Sequence, residues 1–150
     1  MLGADPALEL AVRAALDSVF DPCSEVAGVP AGLLEMGLVR ALEIEPGPAG
    51  ATVRVTIGVT EPTCLMGPAL AAGARERLAA VPGVAGVEVA LGDDDWMPSD
   101  MSAQYRERLG AHRAAKRAAF GLGGTVVETP LGGTIRVGRH AEKDRSGNEA

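Results

Sequence analysis

Residues 51–64 read Ala-Thr-Val-Arg-Val-Thr-Ile-Gly-Val-Thr-Glu-Pro-Thr-Cys, and they contain the pattern that decides the fold. Apolar side chains alternate with polar or small ones over residues 52–59, which predicts a strand with one buried face and one wet face. Cys64 stands where this strand has ended and a helix is about to begin. Because helix N-termini favour negative charge, a cysteine here can present a thiolate to a metal or an electrophile. The alternative is a small buried core residue.

The sequence on both sides of this segment predicts alternating helices and strands. Residues 38–45 form a strand, and the turn at 46–50 joins it to the strand at 52–59 as an antiparallel hairpin. A third strand covers 84–91. A first helix is expected from Pro6 to near Phe20, where Asp21-Pro22 stops it. Two further helices are expected over 66–80 and 101–120, and Ser99 or Asp100 would cap the second of these. Residues 21–34 are predicted to be a loop, and residues 125–137 a second hairpin around the turn at 130–133.

Composition narrows the classes of protein that the chain belongs to. It has 150 residues, 47% of them hydrophobic, which suits one domain with a sizeable aliphatic core. Its net charge of −6 argues against nucleic-acid binding, and no apolar run is long enough for a membrane helix. Two cysteines are too few for a disulfide scaffold. Residues 1–6 lack the pattern of a signal peptide, so a cytoplasmic, reducing location with free thiols is expected.

Cys23 and Cys64 raise the question of a metal site. If the loop that follows Asp21 folds over the Cys64 turn, the two thiols converge with the carboxylate of Asp21 or Glu35. Such a set suits zinc, or an iron–sulfur cluster whose ligands are shared across a homodimer. One chain has too few cysteines for the usual four-cysteine site, so cluster binding would be transient, shared between chains or completed by a small thiol. The alternative is two unrelated cysteines.

Other polar motifs carry less chemistry. Asp93-Asp94-Asp95 is interpreted as a solvated turn, because no calcium-loop spacing follows it. Trp96, the sole tryptophan, either covers the core or shields the region of Cys64 from solvent. Neither His112 nor His140 has a partner at metal-ligand spacing. Walker A, GxGxxG, HExxH and GxSxG motifs are absent from the sequence, so the common nucleotide and hydrolase sites lack support.

The order of these features resembles a known family. A leading helix and Asp21-Pro22 are followed by Glu35-Met36-Gly37-Leu38-Val39, a hairpin, Thr60-Glu61-Pro62-Thr63-Cys64, a helix and a strand, and the run closes with Trp96 and Met101-Ser102. This order is similar to that of the metal–sulfur cluster assembly factor family, catalogued as domain of unknown function 59. The family includes cytosolic iron–sulfur targeting factors and a component encoded with the phenylacetyl-CoA epoxidase. The resemblance covers about residues 6–110.

The resemblance implies which residues form the site. Cys64 is the principal functional thiol, Thr60 and Pro62 match the family's Thr-x-Pro-x-Cys turn, and Asp21 matches an acidic residue of its Asp-Pro-Glu motif. Cys23 departs from that motif by replacing glutamate, which would either add a second soft ligand or remove a needed carboxylate. Further departures are Glu35 in place of aspartate, a longer loop at 23–34, and Leu65 where proline commonly follows the cysteine.

The resemblance also implies a fold and a function. The expected fold is α/β (α+β, two-layer), a small mixed sheet of about three to four strands with helices packed on it, plus a C-terminal β-hairpin extension. The expected divisions are a domain over 1–110, an extension over 111–138 and a disordered tail over 139–150. The expected function is an accessory factor, not an enzyme, in iron–sulfur cluster assembly or in maturation of a client metalloprotein. It would bind iron or a cluster transiently and contact the client or other assembly proteins. The alternatives are a docking adaptor with a structural Cys64 and, lowest in rank because no histidine is well placed, a thiol enzyme.

Overall fold

The computed structural model describes residues 4–121, together with the backbone of residues 125–128 and 134–137. Its helices are α1 (Pro6–Asp17), α2 (Pro22–Val26), α3 (Gly67–Ala79) and α4 (Ala103–Ala119), and a single 3-10 turn covers Pro98–Asp100. Its strands are β1 (Val39–Glu45), β2 (Ala51–Ile57), β3 (Val84–Leu91), β4 (Thr125–Glu128) and β5 (Thr134–Val137). The chain divides into two compact units, Met1–Leu109 and Gly110–Ala150.

The first unit is built on a mixed sheet with the strand order β1-β2-β3. β1 and β2 pair antiparallel, which confirms the predicted hairpin, and β2 and β3 pair parallel on either side of the α3 crossover. The period-two alternation of β2 sets its burial, because Val53, Val55 and Ile57 face the core while Arg54 is exposed. The predicted mixed sheet with helices packed on it is therefore confirmed.

One face of the sheet and the apolar stripes of the helices form the core. The side chains that α1 and α3 bury recur at intervals of four residues, namely Val12 and Leu16 of α1 and Leu70, Ala74 and Leu78 of α3. Tyr105 and Leu109 of α4 complete this cluster within the first unit. Removing such large side chains from water is the main favourable contribution to folding, about 2 kcal/mol for each one that is fully buried.

Two predicted boundaries were wrong. The segment at 21–34 is not all loop, since Asp21 accepts a hydrogen bond from the Ser24 N–H (2.9 Å) and caps the short helix α2. Asp21-Pro22 thus follows α1 and also begins α2, because proline suits the first position of a helix. At α4 the capping side chain is Ser102, whose Oγ accepts from the Tyr105 N–H (3.1 Å). The predicted cap Asp100 instead accepts from the Met97 N–H within the 3-10 turn.

The second unit contains a pair of short strands. β4 and β5 pair antiparallel, with Thr125 opposite Val137 and Glu128 opposite Thr134. The turn predicted at 130–133 and the tail predicted at 139–150 lie outside the described residues, so the complete hairpin extension and the disordered tail stay predictions. Among the helices of the described residues, none has the length and apolarity that crossing a membrane requires.

Candidate functional site

The candidate site lies at one edge of the sheet, where two parallel strands end together. Ile57 and Leu91, the last residues of β2 and β3, stand opposite each other in the register. The loops that follow, 58–66 and 92–97, leave from this carboxyl edge, and the Gly92 N–H donates to the Ile57 carbonyl (2.8 Å). Ligand sites in sheets with parallel strands are commonly built from such loops.

Cys64 is held in the first of these loops by a tight turn. The Cys64 N–H donates to the carbonyl of Glu61 (2.9 Å), and Pro62 occupies the second position of the turn, which its fixed φ favours. Thr60, half-buried, precedes the turn. The Cys64 thiol is free and partly exposed. It precedes Met66, where α3 begins without a side-chain cap, so the predicted position of Cys64 between a strand and a helix is confirmed.

A cleft of about 160 Å³ opens between the two loops. Val59 and Pro62 line it from the first loop, and Trp96 lines it from the second together with Gly92, Asp93, Asp94 and Asp95. Trp96 is half-buried, and its indole Nε1–H donates to the carbonyl of Met36 (2.7 Å). Trp96 thus shares a cleft with Pro62 of the Cys64 turn, and it also packs against the core.

Arg40 is a site residue that the sequence analysis missed. It sits at a β-bulge between Val39 and Ala41, and bulges commonly redirect a side chain. Its guanidinium donates to the carbonyl of Asp95 (2.7 Å) and to the carboxylate of Asp100 (3.3 Å). A Cβ on Gly58 would lie 3.2 Å from Arg40 Nε, so glycine leaves room for the side chain. Arg40 therefore anchors the wall of the cleft formed by residues 93–96.

Arg40 also carries one unsatisfied donor. Its buried Nε has no hydrogen-bond partner among the described residues. Such a donor lowers the stability of the fold, because burial removes the hydrogen bond that it would make to water if it were exposed. An arginine within a largely apolar strand was the available sequence signal, but it does not identify a carbonyl 55 positions later in the chain.

Asp21 and Cys23 belong to a different local structure. Asp21 is buried, with 3% of the residue exposed, and its side chain caps α2. Ser24 extends this hydrogen-bond network, because its Oγ accepts from the Ala31 N–H (2.9 Å). Burial raises the pKa of the Asp21 carboxyl, and the backbone hydrogen bonds oppose that effect. Cys23 is exposed on α2. In this structure Asp21 caps the short helix that carries Cys23.

Glu35 is tied to α4. Its carboxylate accepts two hydrogen bonds from Arg108, at 2.7 and 3.2 Å, and its carbonyl accepts the Ser102 N–H (2.8 Å). The Arg108 hydrogen bonds lower the pKa of the Glu35 carboxyl, and burial opposes them. Glu35 thus anchors the segment before β1 to the start of α4.

The predicted site residues fall into two sets. Pro62 and Trp96 line the cleft beside the loop of Thr60 and Cys64, whereas Asp21, Cys23 and Glu35 are not part of its lining. Within the part of the chain that the structure describes, no three His, Cys, Asp or Glu side chains form a group that could hold a metal ion. A three-donor set of Cys64, Cys23 and a carboxylate is not assembled in a single chain.

Comparison with known proteins points to one family. The model of the family described as iron-sulfur cluster assembly protein matches residues 9–90. A structure of domain of unknown function DUF59 from Bacillus anthracis is 25% identical, with 69% of this chain and 92% of that chain covered and a TM-score of 0.56. A conserved hypothetical protein from Thermotoga maritima is 29% identical, with 68% and 93% covered and a TM-score of 0.52.

A third solved structure is less similar. It is a Mycobacterium tuberculosis protein described as associated with Fe-S complex assembly and repair, with 24% identity, 73% of this chain and 90% of that chain covered, and a TM-score of 0.42. Curated proteins give no significant match to the chain.

Proposed function

Because the chain belongs to the iron–sulfur cluster assembly protein family, which has a general role in cluster assembly, we propose that its Cys64 thiolate holds iron or an iron–sulfur cluster in transit to a client metalloprotein. The observation that carries the proposal is the free, partly exposed thiol of Cys64 at the carboxyl edge of the sheet. It is supported by the Pro62 turn, which fixes the thiol at the point where β2 leads into α3.

The donor set suits a cargo that must leave. Thiolate is a preferred ligand of iron in clusters, which ordinarily need four protein ligands. The loop of Cys64 supplies one, and no three-donor group exists among the described residues. The remaining ligands then come from the client, a second copy of the chain or a small thiol. Release is a ligand exchange in which the bond from iron to Cys64 Sγ breaks as a client thiolate bonds to iron, with no change in oxidation state.

The surrounding residues position the thiol and protect the cargo. Pro62 restricts the backbone of the turn, so less conformational freedom is lost when the thiolate binds iron. Trp96 excludes water from one side of the cleft, and Arg40 holds the loop of Trp96 in place through the Asp95 carbonyl. Cys23, exposed on α2, is the second candidate ligand, and it would act only when another molecule brings further donors.

Anaerobic reconstitution with iron and sulfide tests the proposal. Visible charge-transfer absorbance and iron per chain are measured for the wild type, Cys64→Ser and Cys23→Ser, the last being a matched loss of one thiol outside the cleft. We expect Cys64→Ser to lose the band. If Cys23→Ser retains its iron, Cys64 is the only one of the two thiols that binds it. If Cys23→Ser loses iron as Cys64→Ser does, both thiols are ligands. Equal absorbance in Cys64→Ser and wild type would contradict the role of Cys64.

A second function, a non-catalytic docking adaptor with a structural Cys64, is favoured by one observation. The Cys64 loop exposes large apolar side chains, with Leu65 91% and Met66 44% exposed. Under this alternative Cys64→Ser leaves client maturation in cells unchanged, whereas Leu65→Ser with Met66→Ser abolishes it. The proposed carrier function predicts that Cys64→Ser alone abolishes maturation.

A further inference from the structure

We infer that the cleft beside Cys64 docks a client segment through an arginine side chain that lies between Trp96 and the carboxylates of residues 93–95, with apolar neighbours of that arginine covering the Cys64 loop. The identity of the partner as a client rests on the proposed function. The chemistry of the docked segment rests on the surface itself.

The first observation is an apolar surface that continues from the cleft to α3. A Cβ on Gly67, the first residue of α3, would lie 3.2 Å from the Val59 side chain and 3.5 Å from that of Leu91. Val59 lines the cleft, and Leu91 is 47% exposed. Leu65 and Met66, which directly precede Gly67 in the chain, are also exposed. Exposed apolar groups gathered around a cleft are typical of a protein contact site.

The second observation is the charge of the opposite wall. Asp93, Asp94 and Asp95 are exposed and line the cleft, and Glu61 is exposed in the facing loop. Within residues 4–121, the carboxylates of residues 93–95 form no ion pair. The neighbouring cation, Arg40, donates to the backbone carbonyl of Asp95 and forms its ion pair with Asp100. An unpaired negative wall beside an apolar surface is complementary to a partner with a cation next to apolar side chains.

The third observation selects arginine. Tryptophan is the best aromatic partner for a cation, and the planar guanidinium both stacks on rings and binds carboxylates through two donors. The cleft of about 160 Å³ is several times the roughly 10–15 Å³ that one water needs, which suits a side chain and not a folded element. No group of donors in the described residues has the arrangement for a metal ion, so a bare cation is the weaker occupant.

The acidic wall also lies beyond residues 9–90, the part of the chain that matches the family model. Residues 93–95 are held in position by Arg40 and by the bond from Trp96 to Met36, both reaching back into the matched part. The part of the chain that matches the family model thus holds the acidic wall in position, although residues 93–95 lie outside that match.

The sole tryptophan makes the test direct, because Trp96 fluorescence reports on the cleft. The probes are the peptides acetyl-Gly-Leu-Arg-Leu-Arg-Gly-amide and acetyl-Gly-Leu-Glu-Leu-Glu-Gly-amide, titrated into the full chain. The variant Asp93→Asn/Asp94→Asn/Asp95→Asn is compared with a control that loses the same charge at exposed sites outside the cleft, Glu43→Gln/Glu76→Gln/Glu107→Gln.

The arginine peptide is expected to change Trp96 emission, and the glutamate peptide is not. The asparagine variant should bind the arginine peptide about tenfold more weakly, and the control within about twofold of wild type, because only the former loses the partly exposed ion pairs at the cleft. Raising sodium chloride from about 0.05 M to about 0.5 M should weaken wild-type binding, since screening shortens the range of these charges. Equal binding of both peptides, or equal losses in variant and control, overturns the inference.

Two further outcomes keep this inference separate from the proposed function. Concentration-dependent association of the wild type that the asparagine variant abolishes would make a second copy, through its basic α4, the occupant, and it would overturn the client assignment. Iron incorporation on Cys64 should be equal in the asparagine variant and wild type. Peptide binding without iron incorporation therefore refutes only the thiolate proposal, and the reverse result refutes only the docking proposal.

Discussion

Replacement of Gly37 by alanine is the sharpest test of how the candidate site is held together. Gly37 has φ = +70°, a conformation that side chains disfavour. An alanine Cβ there would overlap the backbone of Asp100, whose carbonyl carbon lies 2.5 Å from the built position. The substitution therefore strains the segment before β1 and displaces the 3-10 turn at Pro98–Asp100.

The expected cost can be worked from these contacts. The left-handed conformation costs about 1–2 kcal/mol for a residue with a side chain. Moving Asp100 also weakens its hydrogen bonds to the Met97 N–H and Arg40, at about 1 kcal/mol in total because both are exposed. We expect the free energy of unfolding to fall by about 2–3 kcal/mol. For a chain of 150 residues, this lowers the melting temperature by about 4–12 °C.

Gly110→Ala is the matched control. Gly110 lies within α4, where a Cβ meets nothing within 4 Å, so alanine should stabilise by about 0.5–1 kcal/mol through helix propensity. Urea unfolding is followed by far-ultraviolet circular dichroism, and Trp96 emission reports separately on the cleft wall. A loss below about 1 kcal/mol for Gly37→Ala, or the same change in unfolding free energy in Gly37→Ala and Gly110→Ala, would refute the argument.

Three further substitutions test individual contacts. Arg40→Met removes the 2.7 Å bond to Asp95 together with the buried unsatisfied Nε. Unfolding free energy should therefore change by less than about 1 kcal/mol, while acrylamide quenching of Trp96 increases, and unchanged quenching would contradict the anchoring role. Glu35→Gln should cost about 0.5 kcal/mol at neutral pH. Because the pKa of Glu35 is lowered from 4.5, that contribution is present above 4.5 and is lost as pH falls through the depressed pKa, which unfolding at stepped pH values measures. Asp21→Asn should show the reverse trend, since burial raises the Asp21 pKa from 3.8. The wild type loses stability as pH rises from 3.8 through the raised pKa of Asp21. The variant keeps the cap through its amide and does not titrate there, so its stability rises relative to that of the wild type over this pH interval. A difference in unfolding free energy that does not depend on pH would contradict the raised pKa.

Most of the first unit could be predicted because local sequence patterns coincide with its elements. The alternation of Val53, Val55 and Ile57 gave the buried face of β2, and the four-residue spacing of Leu70, Ala74 and Leu78 gave that of α3. The short helix α2 was missed because Asp21-Pro22 was interpreted only as the end of the first helix, whereas α1 already ends at Asp17 and Asp21 caps α2. The dipeptide alone does not show whether it ends one helix or caps the next.

The candidate site was predictable only in its local part. The turn that places Cys64 follows from Pro62 and four consecutive residues, so sequence was sufficient. The cleft wall depends on Arg40, which a β-bulge redirects toward Asp95, and neither the bulge nor a contact of that range has a local signature. Sequence left open whether Asp21 and Cys23 converge with Cys64. Among the described residues these side chains form no three-donor group, and the Asp21 carboxylate accepts a hydrogen bond from the nearby Ser24 N–H.

The sheet order has a consequence for the order of folding events. β1, β2 and β3 are neighbours in the sheet in the same order as in the chain. β1 and β2 pair across the short turn at 46–50 and β2 and β3 across the α3 crossover at 58–83, and both closures are more local than the one that joins Tyr105 to Val29. Residues 39–91 can therefore assemble early, whereas Tyr105 bonds to the carbonyl of Val29 (2.8 Å) only after a long loop has closed. Substitutions in β2 should mainly slow folding, and Tyr105→Phe should mainly speed unfolding. Cys64 lies inside the early segment, so its turn would form before the late contacts of α4.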